Sequence, residues 1–111
     1  MFRNFFSKPV IAEITPQEAR AKQQAGAVIV DVRETYEFRE GYISGAVHIP
    51  LRSLSQRMKE LDHSKEFVVV CRSRNRSMTA VQFLKQGGFT QVSSMAGGMI
   101  GWTRQRFPVQ R

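Results

Sequence analysis

The chain has little cysteine, no long apolar run and no acidic residue after position 66. Its 111 residues include a single cysteine, Cys71, which excludes an intrachain disulfide and a cysteine-rich zinc site. Because a lone thiol suits a reducing compartment, we expect a cytoplasmic protein. The longest apolar runs span about five residues, whereas a membrane-spanning helix needs about 20. The length predicts one domain.

The N-terminus is basic and aromatic, with the sequence Met1-Phe2-Arg3-Asn4-Phe5-Phe6. It lacks the continuous apolar core and the small-residue cleavage site of a signal peptide, so we expect none. We interpret residues 1–10 as an N-terminal segment whose aromatic side chains pack on the domain. A weak membrane-surface anchor is the alternative.

Positive charge is concentrated in the second part of the chain. Residues 1–66 carry ten basic and nine acidic side chains, whereas residues 67–111 carry seven basic and no acidic ones. A field of one sign attracts anions. Nucleic acid is one such partner, but the chain has neither zinc-finger spacing nor an aromatic RNA-binding signature, so we expect none. A small anion near Cys71 fits better, because Arg72, Arg74 and Arg76 follow it closely.

Local signals predict alternating strands and helices. The strongest helix start is Thr15-Pro16-Gln17-Glu18, a capping box with proline at the first helical position, and Gly26 ends that helix after about Gln24. The spacing of Leu51, Leu54, Met58 and Leu61 predicts an amphipathic helix. The other predicted elements are strands at 27–31, 46–49, 67–70 and 92–95, and helices at 36–40, 77–86 and 99–104.

This alternation predicts an α/β fold with a mostly parallel central sheet of about five strands and helices on both faces. Strand 67–70 is short, apolar and rich in valine, which is typical of a strand buried on both faces. Sites in such folds lie beyond the carboxyl ends of the strands. Two predicted strands end on residues with useful chemistry, namely Asp31, followed by Arg33, and Cys71.

The segment Cys71-Arg72-Ser73-Arg74-Asn75-Arg76-Ser77 joins a strand to a helix. Backbone N–H groups of a tight loop and the positive end of the following helix favour an anion and a thiolate. An inert core cysteine is the alternative interpretation. The three guanidiniums oppose it, because charge is costly to bury. We therefore expect both the loop and its sulfur to be open to solvent.

Several blocks together resemble the rhodanese-like domain family, specifically its single-domain sulfurtransferases. They cover about residues 11–107, which leaves residues 108–111 as a basic C-terminal tail. In order, the blocks are 31–34, 37–38, 41–46, 49–50, 71–77, 88–89, 92, 97–98 and 102. The chain departs from the family at Arg74, where glycine is frequent, and at Tyr42, where histidine is common. If position 74 needs a positive φ, the arginine costs about 1–2 kcal/mol.

The resemblance implies a rhodanese-like fold and a thiosulfate sulfurtransferase. Sulfane sulfur would move from thiosulfate or a persulfide donor to a thiol, cyanide or a protein acceptor through a Cys71 persulfide, with no cofactor and no metal. The implied catalytic residue is Cys71, and Asp31 and Arg33 lie behind the loop. Arg72 and Arg76 would steer the anion. The implied substrate-binding residues are Arg72, Ser73, Arg74, Asn75, Arg76 and Ser77. Since the chain has one cysteine, the sulfur acceptor must be external.

Two other functions fit parts of the sequence. Cysteine-based phosphatases and arsenate reductases place an arginine six residues after the cysteine, whereas Arg76 lies five after Cys71 and Ser77 holds the sixth place. A non-catalytic module could dock an acidic partner on the basic loop, but docking has no need of a thiol. We expect Trp102 to pack on the domain, and Arg104, Arg106 and Arg111 to be solvated.

Overall fold

The computed structural model describes residues 12–111, so the predicted N-terminal segment at 1–10 lies outside the described residues. The strands are β1 (Glu13–Ile14), β2 (Val28–Asp31), β3 (Val47–His48), β4 (Phe67–Val70) and β5 (Val92–Met95). The α-helices are α1 (Pro16–Gln24), α2 (Thr35–Glu40), α3 (Leu54–Arg57), α4 (Asn75–Gln86) and α5 (Gly98–Arg104). No helix among these residues is long and apolar enough to cross a membrane.

The five strands form one parallel sheet in the order β1-β5-β4-β2-β3. This arrangement confirms the predicted α/β class and strand number. Strand β4 is central and all four of its residues are buried, as the valine-rich pattern predicted. Its neighbours are β5 and β2, so the carboxyl ends of these three strands meet at one edge of the sheet.

Helices cover both faces of the sheet. Successive side chains of a strand point to opposite faces. Val69 and Phe67 therefore pack with α3 and α4 on one face, whereas Val68 and Val70 pack with α1 and α5 on the other.

The start of α1 matches its prediction. Thr15 Oγ1 accepts a hydrogen bond from the Glu18 N–H, and the Glu18 carboxylate accepts one from the Thr15 N–H. These reciprocal bonds satisfy two N–H groups that have no partner inside the helix.

The amphipathic helix predicted around residues 51–61 is interrupted. Turns of 3-10 helix at Leu51–Ser53 and Met58–Glu60 flank the single α-helical turn of α3. The apolar residues are spaced by three, four and three positions, and a spacing of three matches the three residues per turn of a 3-10 helix. The apolar side of this segment still packs on the core.

The C-terminal residues pack on the domain. The Trp102 indole donates a hydrogen bond to the Pro108 carbonyl at 2.9 Å, and Trp102 itself is buried as predicted. Backbone bonds join Tyr42 and Gln110 in both directions, at 2.9 and 2.8 Å. Arg111 Nε donates to the Glu40 carbonyl. Residues 108–111, predicted as a basic tail, are therefore bonded along their length, although the Arg111 side chain stays exposed.

Candidate active site

The loop between β4 and α4 lies at the carboxyl edge of the sheet. Cys71 directly follows β4, and α4 begins at Asn75, two residues earlier than predicted. Asp31, the last residue of β2, is in register with Val70. The two strand ends with useful chemistry thus lie side by side, as the parallel topology predicted.

The start of α5 holds the backbone at the base of this loop. The Met99 N–H donates to the Cys71 carbonyl at 2.8 Å, and the Ile100 N–H donates to the Arg72 carbonyl at 3.1 Å. Gly98 has a φ of +55°, and a Cβ there would lie 2.5 Å from the Cys71 and Arg72 carbonyl oxygens. Only glycine permits this approach. The sequence gave no signal of this contact between Gly98 and the loop.

The Cys71 side chain is buried, so the prediction of a sulfur open to solvent is wrong. The residue is 1% exposed. Cys71 continues the alternation of Phe67 and Val69 and therefore packs into the face covered by α3 and α4. Its Sγ lies 3.3 Å from the Ser77 hydroxyl oxygen. The guanidiniums of the loop reach solvent, whereas the Cys71 side chain does not.

The backbone amides of the loop have no hydrogen-bond acceptor in the described part of the chain. No acceptor among residues 12–111 takes a hydrogen bond from the N–H groups of residues 72–77. The first N–H groups of a helix have no partner inside the helix, and α4 adds the positive end of its dipole here. These groups suit the negative charge of a sulfur anion.

The three loop arginines have different partners. Arg76 donates to both oxygens of Glu37, at 2.5 and 2.8 Å. Arg74 pairs with Glu13 at 3.2 Å. Arg72 has no acidic partner among the described residues. The charge of Arg76 is therefore offset by a carboxylate, and the steering of an anion by Arg72 and Arg76 stays a prediction.

Arg74 does not strain the loop. Its φ is −160°, which lies far from the positive range that favours glycine. The penalty considered for a positive φ at this position is therefore absent.

Tyr42, the other departure from the family pattern, lies in an aromatic stack. Its ring stacks on Phe38 with centroids 4.2 Å apart, and Phe38 stacks on His48 at 4.3 Å. Phe38, whose ring contacts both of the others, therefore packs the end of α2 against β3.

Glu37 is the acidic centre of the contacts around the loop. The two bonds from Arg76 lower its pKa to about 2, aided by the Glu34 N–H and opposed by burial. Glu37 in turn raises the pKa of Arg76. No sequence signal identifies a partner 39 residues away.

Asp31 and Arg33 form a buried ion pair behind the loop, with side chains 1% and 7% exposed. Arg33 Nε and Nη2 donate to the Asp31 carboxylate at 2.8–3.1 Å. Its two terminal nitrogens also donate to the Glu37 and Gly41 carbonyls. With these partners, Arg33 ties the end of β2 to α2.

A cleft of about 200 Å³ opens beside the loop. The residues that line it include Arg72, Met99, Ile100, Gly41 and Arg111. Glu40 also lines this cleft, so its charge is mixed. Within residues 12–111, no three histidine, cysteine or acidic side chains come together in a way that could hold a metal ion.

Comparison with known sequences identifies relatives over most of the chain. The family model described as Rhodanese-like domain matches residues 15–105. The thiosulfate sulfurtransferase GlpE of Pseudomonas syringae is 38% identical over 95 residues, covering 86% of this chain and 89% of that protein. The GlpE protein of Haemophilus influenzae is 35% identical, covering 87% of this chain and 92% of that protein.

Solved structures show the same fold. A rhodanese-related protein from Thermoplasma volcanium superimposes with a TM-score of 0.84 at 31% identity, covering 89% of this chain and 97% of that one. A rhodanese-like domain protein from Staphylococcus aureus has a TM-score of 0.77 at 29% identity, covering 83% and 91% of the two chains.

Proposed function

The chain belongs to the rhodanese-like domain family, and from that premise we propose that it is a sulfurtransferase with Cys71 as the sulfur carrier. One observation carries the proposal. The single cysteine lies at the base of a strand-to-helix loop whose N–H groups have no acceptor within residues 12–111. A nucleophile beside unpaired donors is what a covalent mechanism with an anionic intermediate needs.

The reaction would proceed in two displacements. In the first, the Cys71 thiolate attacks the outer sulfur of thiosulfate, the S–S bond of the donor breaks, and sulfite leaves with the bonding electron pair. In the second, an external nucleophile attacks the outer sulfur of the Cys71 persulfide. The bond between the two sulfurs breaks, and the electron pair returns to Cys71 Sγ as a thiolate. No oxidant or reductant is required.

The loop would hold the charged intermediate. The persulfide would place its negative charge on the outer sulfur, and the N–H groups of residues 72–77, which have no acceptor within residues 12–111, would donate to it. Arg72, which has no acidic partner among the described residues, would attract the anionic donor. Asp31 and Arg33 would hold the neighbouring strand end in place. The buried sulfur suits a donor with a terminal sulfur atom, because such an atom can approach end-on.

Intact-mass analysis tests this proposal. Thiosulfate should add the mass of one sulfur atom to the wild-type chain, and cyanide should remove it. The variant Cys71→Ser should gain nothing. The absence of an adduct on the wild type, or an equal adduct on Cys71→Ser, would refute the assignment. Fast hydrolysis of an aryl phosphate by the wild type would instead support the phosphatase alternative.

A further inference from the structure

Behind the loop, a buried hydroxyl on β5 bonds to the hydroxyl that faces the cysteine. Ser94 Oγ lies 2.7 Å from Ser77 Oγ. Ser77 Oγ lies 3.3 Å from Cys71 Sγ and 2.7 Å from the Arg74 carbonyl oxygen. Both serines are 0% exposed, so these groups depend on one another for their hydrogen bonds.

The donor of each of these hydrogen bonds follows from the number of hydrogens and lone pairs on each group. A serine hydroxyl has one hydrogen and two lone pairs. The Arg74 carbonyl can only accept, so the Ser77 hydroxyl donates to it. Ser94 must then donate to Ser77, and the Cys71 thiol donates to the second lone pair of Ser77.

Loss of the thiol proton changes this pattern at one position only. A thiolate cannot donate, and the Ser77 hydroxyl is the donor beside it. Rotation of that hydroxyl moves its hydrogen from the Arg74 carbonyl to Sγ. The Arg74 carbonyl keeps a partner, because the Met78 N–H also donates to it at 3.2 Å. The bond from Ser94 to Ser77 is unchanged.

We propose that Ser94 is a positioning residue that holds and polarises the Ser77 hydroxyl as the switchable hydrogen-bond donor to the Cys71 thiolate. A hydroxyl that accepts a hydrogen bond becomes a better donor, and the effect is strongest where water is excluded. In the proposed sulfur transfer, on which this part of the inference rests, Cys71 Sγ leaves the persulfide as a thiolate. The Ser77 hydroxyl then donates a hydrogen bond to the thiolate that holds the returning electron pair.

The neighbouring serine provides a matched control. Ser93 precedes Ser94 on β5 and is also buried, but it points to the opposite face of the sheet. Its Oγ has no hydrogen-bond partner within the part of the chain that the structure describes. Ser93→Ala and Ser94→Ala therefore each remove a buried hydroxyl from β5. Only the hydroxyl of Ser94 is linked to Cys71, through Ser77.

The test measures the rate of Cys71 alkylation by iodoacetamide from about pH 6 to pH 10, since only the thiolate reacts. Ser94→Ala should react about threefold more slowly at the low end, because a thiolate that loses a polarised donor is less populated. At the high-pH plateau it should match or exceed the wild type, since a less stabilised thiolate is the better nucleophile. Ser93→Ala should follow the wild type throughout, and Ser94→Thr should restore the wild-type profile.

The double variant establishes the route of the effect. Ser77→Ala should slow the low-pH reaction more than Ser94→Ala does, and Ser77→Ala/Ser94→Ala should be no slower than Ser77→Ala, because Ser94 acts through Ser77. Additive losses would overturn the proposal. So would equal slowing of Ser94→Ala at every pH, an unchanged low-pH rate, or the same effect from Ser93→Ala.

Alkylation requires no sulfur transfer, so failure of this inference is distinguishable from failure of the proposed function. The charged side chains at this end of the sheet, Arg72, Arg74, Arg76, Glu37, Asp31 and Arg33, are common to all the variants. His48, whose ring bonds to the Arg33 carbonyl, is also common to them. Differences between the pH profiles therefore come from the hydrogen bonds that link Ser94, Ser77 and Cys71.

Discussion

The ion pair between Glu37 and Arg76 provides the sharpest test of how the loop is held. The Glu37 side chain is 9% exposed and that of Arg76 is 33% exposed. The variant Glu37→Gln removes the negative charge but keeps the shape of the side chain. It leaves Arg76 facing a neutral amide, which gives up the charge-assisted part of both hydrogen bonds.

The size of the effect follows from the pKa of Glu37. Its fall from 4.5 to about 2 corresponds to about 3 kcal/mol at 1.36 kcal/mol per pH unit. Solvent around the partly exposed guanidinium screens the pair, so we expect Glu37→Gln to lower the free energy of unfolding by about 2 kcal/mol at pH 7.

The sign of the pH dependence is fixed by the direction of the shift. A carboxylate with a depressed pKa in the folded state stabilises the fold above the pKa of the unfolded chain. This stabilisation should be complete above pH 4.5 and should be lost as the pH falls toward 2. The protonated wild type then resembles the glutamine variant, so the stability difference between them should vanish at the acid end.

Urea unfolding of both proteins across this pH range measures the difference directly. Glu60→Gln is the control, because the Arg57–Glu60 pair is exposed on both sides, at 41% and 48%. That variant should match the wild type at every pH. A stability loss in Glu37→Gln that is constant from pH 7 to the acid end would refute the reasoning, since it would report altered packing rather than charge.

Three further predictions concern the loop and the C-terminus. In urea unfolding, Gly98→Ala should lower stability by more than the roughly 1–2 kcal/mol expected of Gly26→Ala. Both glycines have a positive φ, but only a Cβ at position 98 would meet backbone atoms. Equal losses of stability would contradict this contact. Arg74→Gly should lower stability slightly, because the wild-type φ is not positive, so glycine relieves no left-handed strain and adds freedom to the unfolded chain. It should also raise the KM for thiosulfate at low salt more than at high salt, because the variant leaves the Glu13 carboxylate beside the loop without its partner and exposed charges are screened by salt. An unchanged KM would exclude an electrostatic role for this pair. Trp102→Phe should lose about 1 kcal/mol with its bond to Pro108 and speed hydrogen exchange at the Gln110 amide; unchanged exchange would mean that the indole does not hold this segment.

Local patterns in the sequence were sufficient for the architecture. The capping box at Thr15, the glycine at position 26 and the valine-rich strand at 67–70 predicted elements that the structure confirms. Their alternation implied a parallel sheet, and a parallel sheet brings strand ends together. The position of Cys71 at the start of a basic loop followed from the same reasoning. These signals involve residues only a few positions apart, so they can be recognised without knowledge of the fold.

The tertiary structure alone decided how the loop is held and where its sulfur points. Arg76 meets Glu37 across 39 positions, and Arg74 meets Glu13 across 61. The hydroxyl of Ser94 reaches Ser77 only because β5 lies beside β4 with that side chain turned toward α4. Strand order, register and the alternation of faces determine such contacts. A basic loop in the sequence therefore predicted free charge and an open thiol, whereas the packed chain offsets two of its three arginines and buries the sulfur.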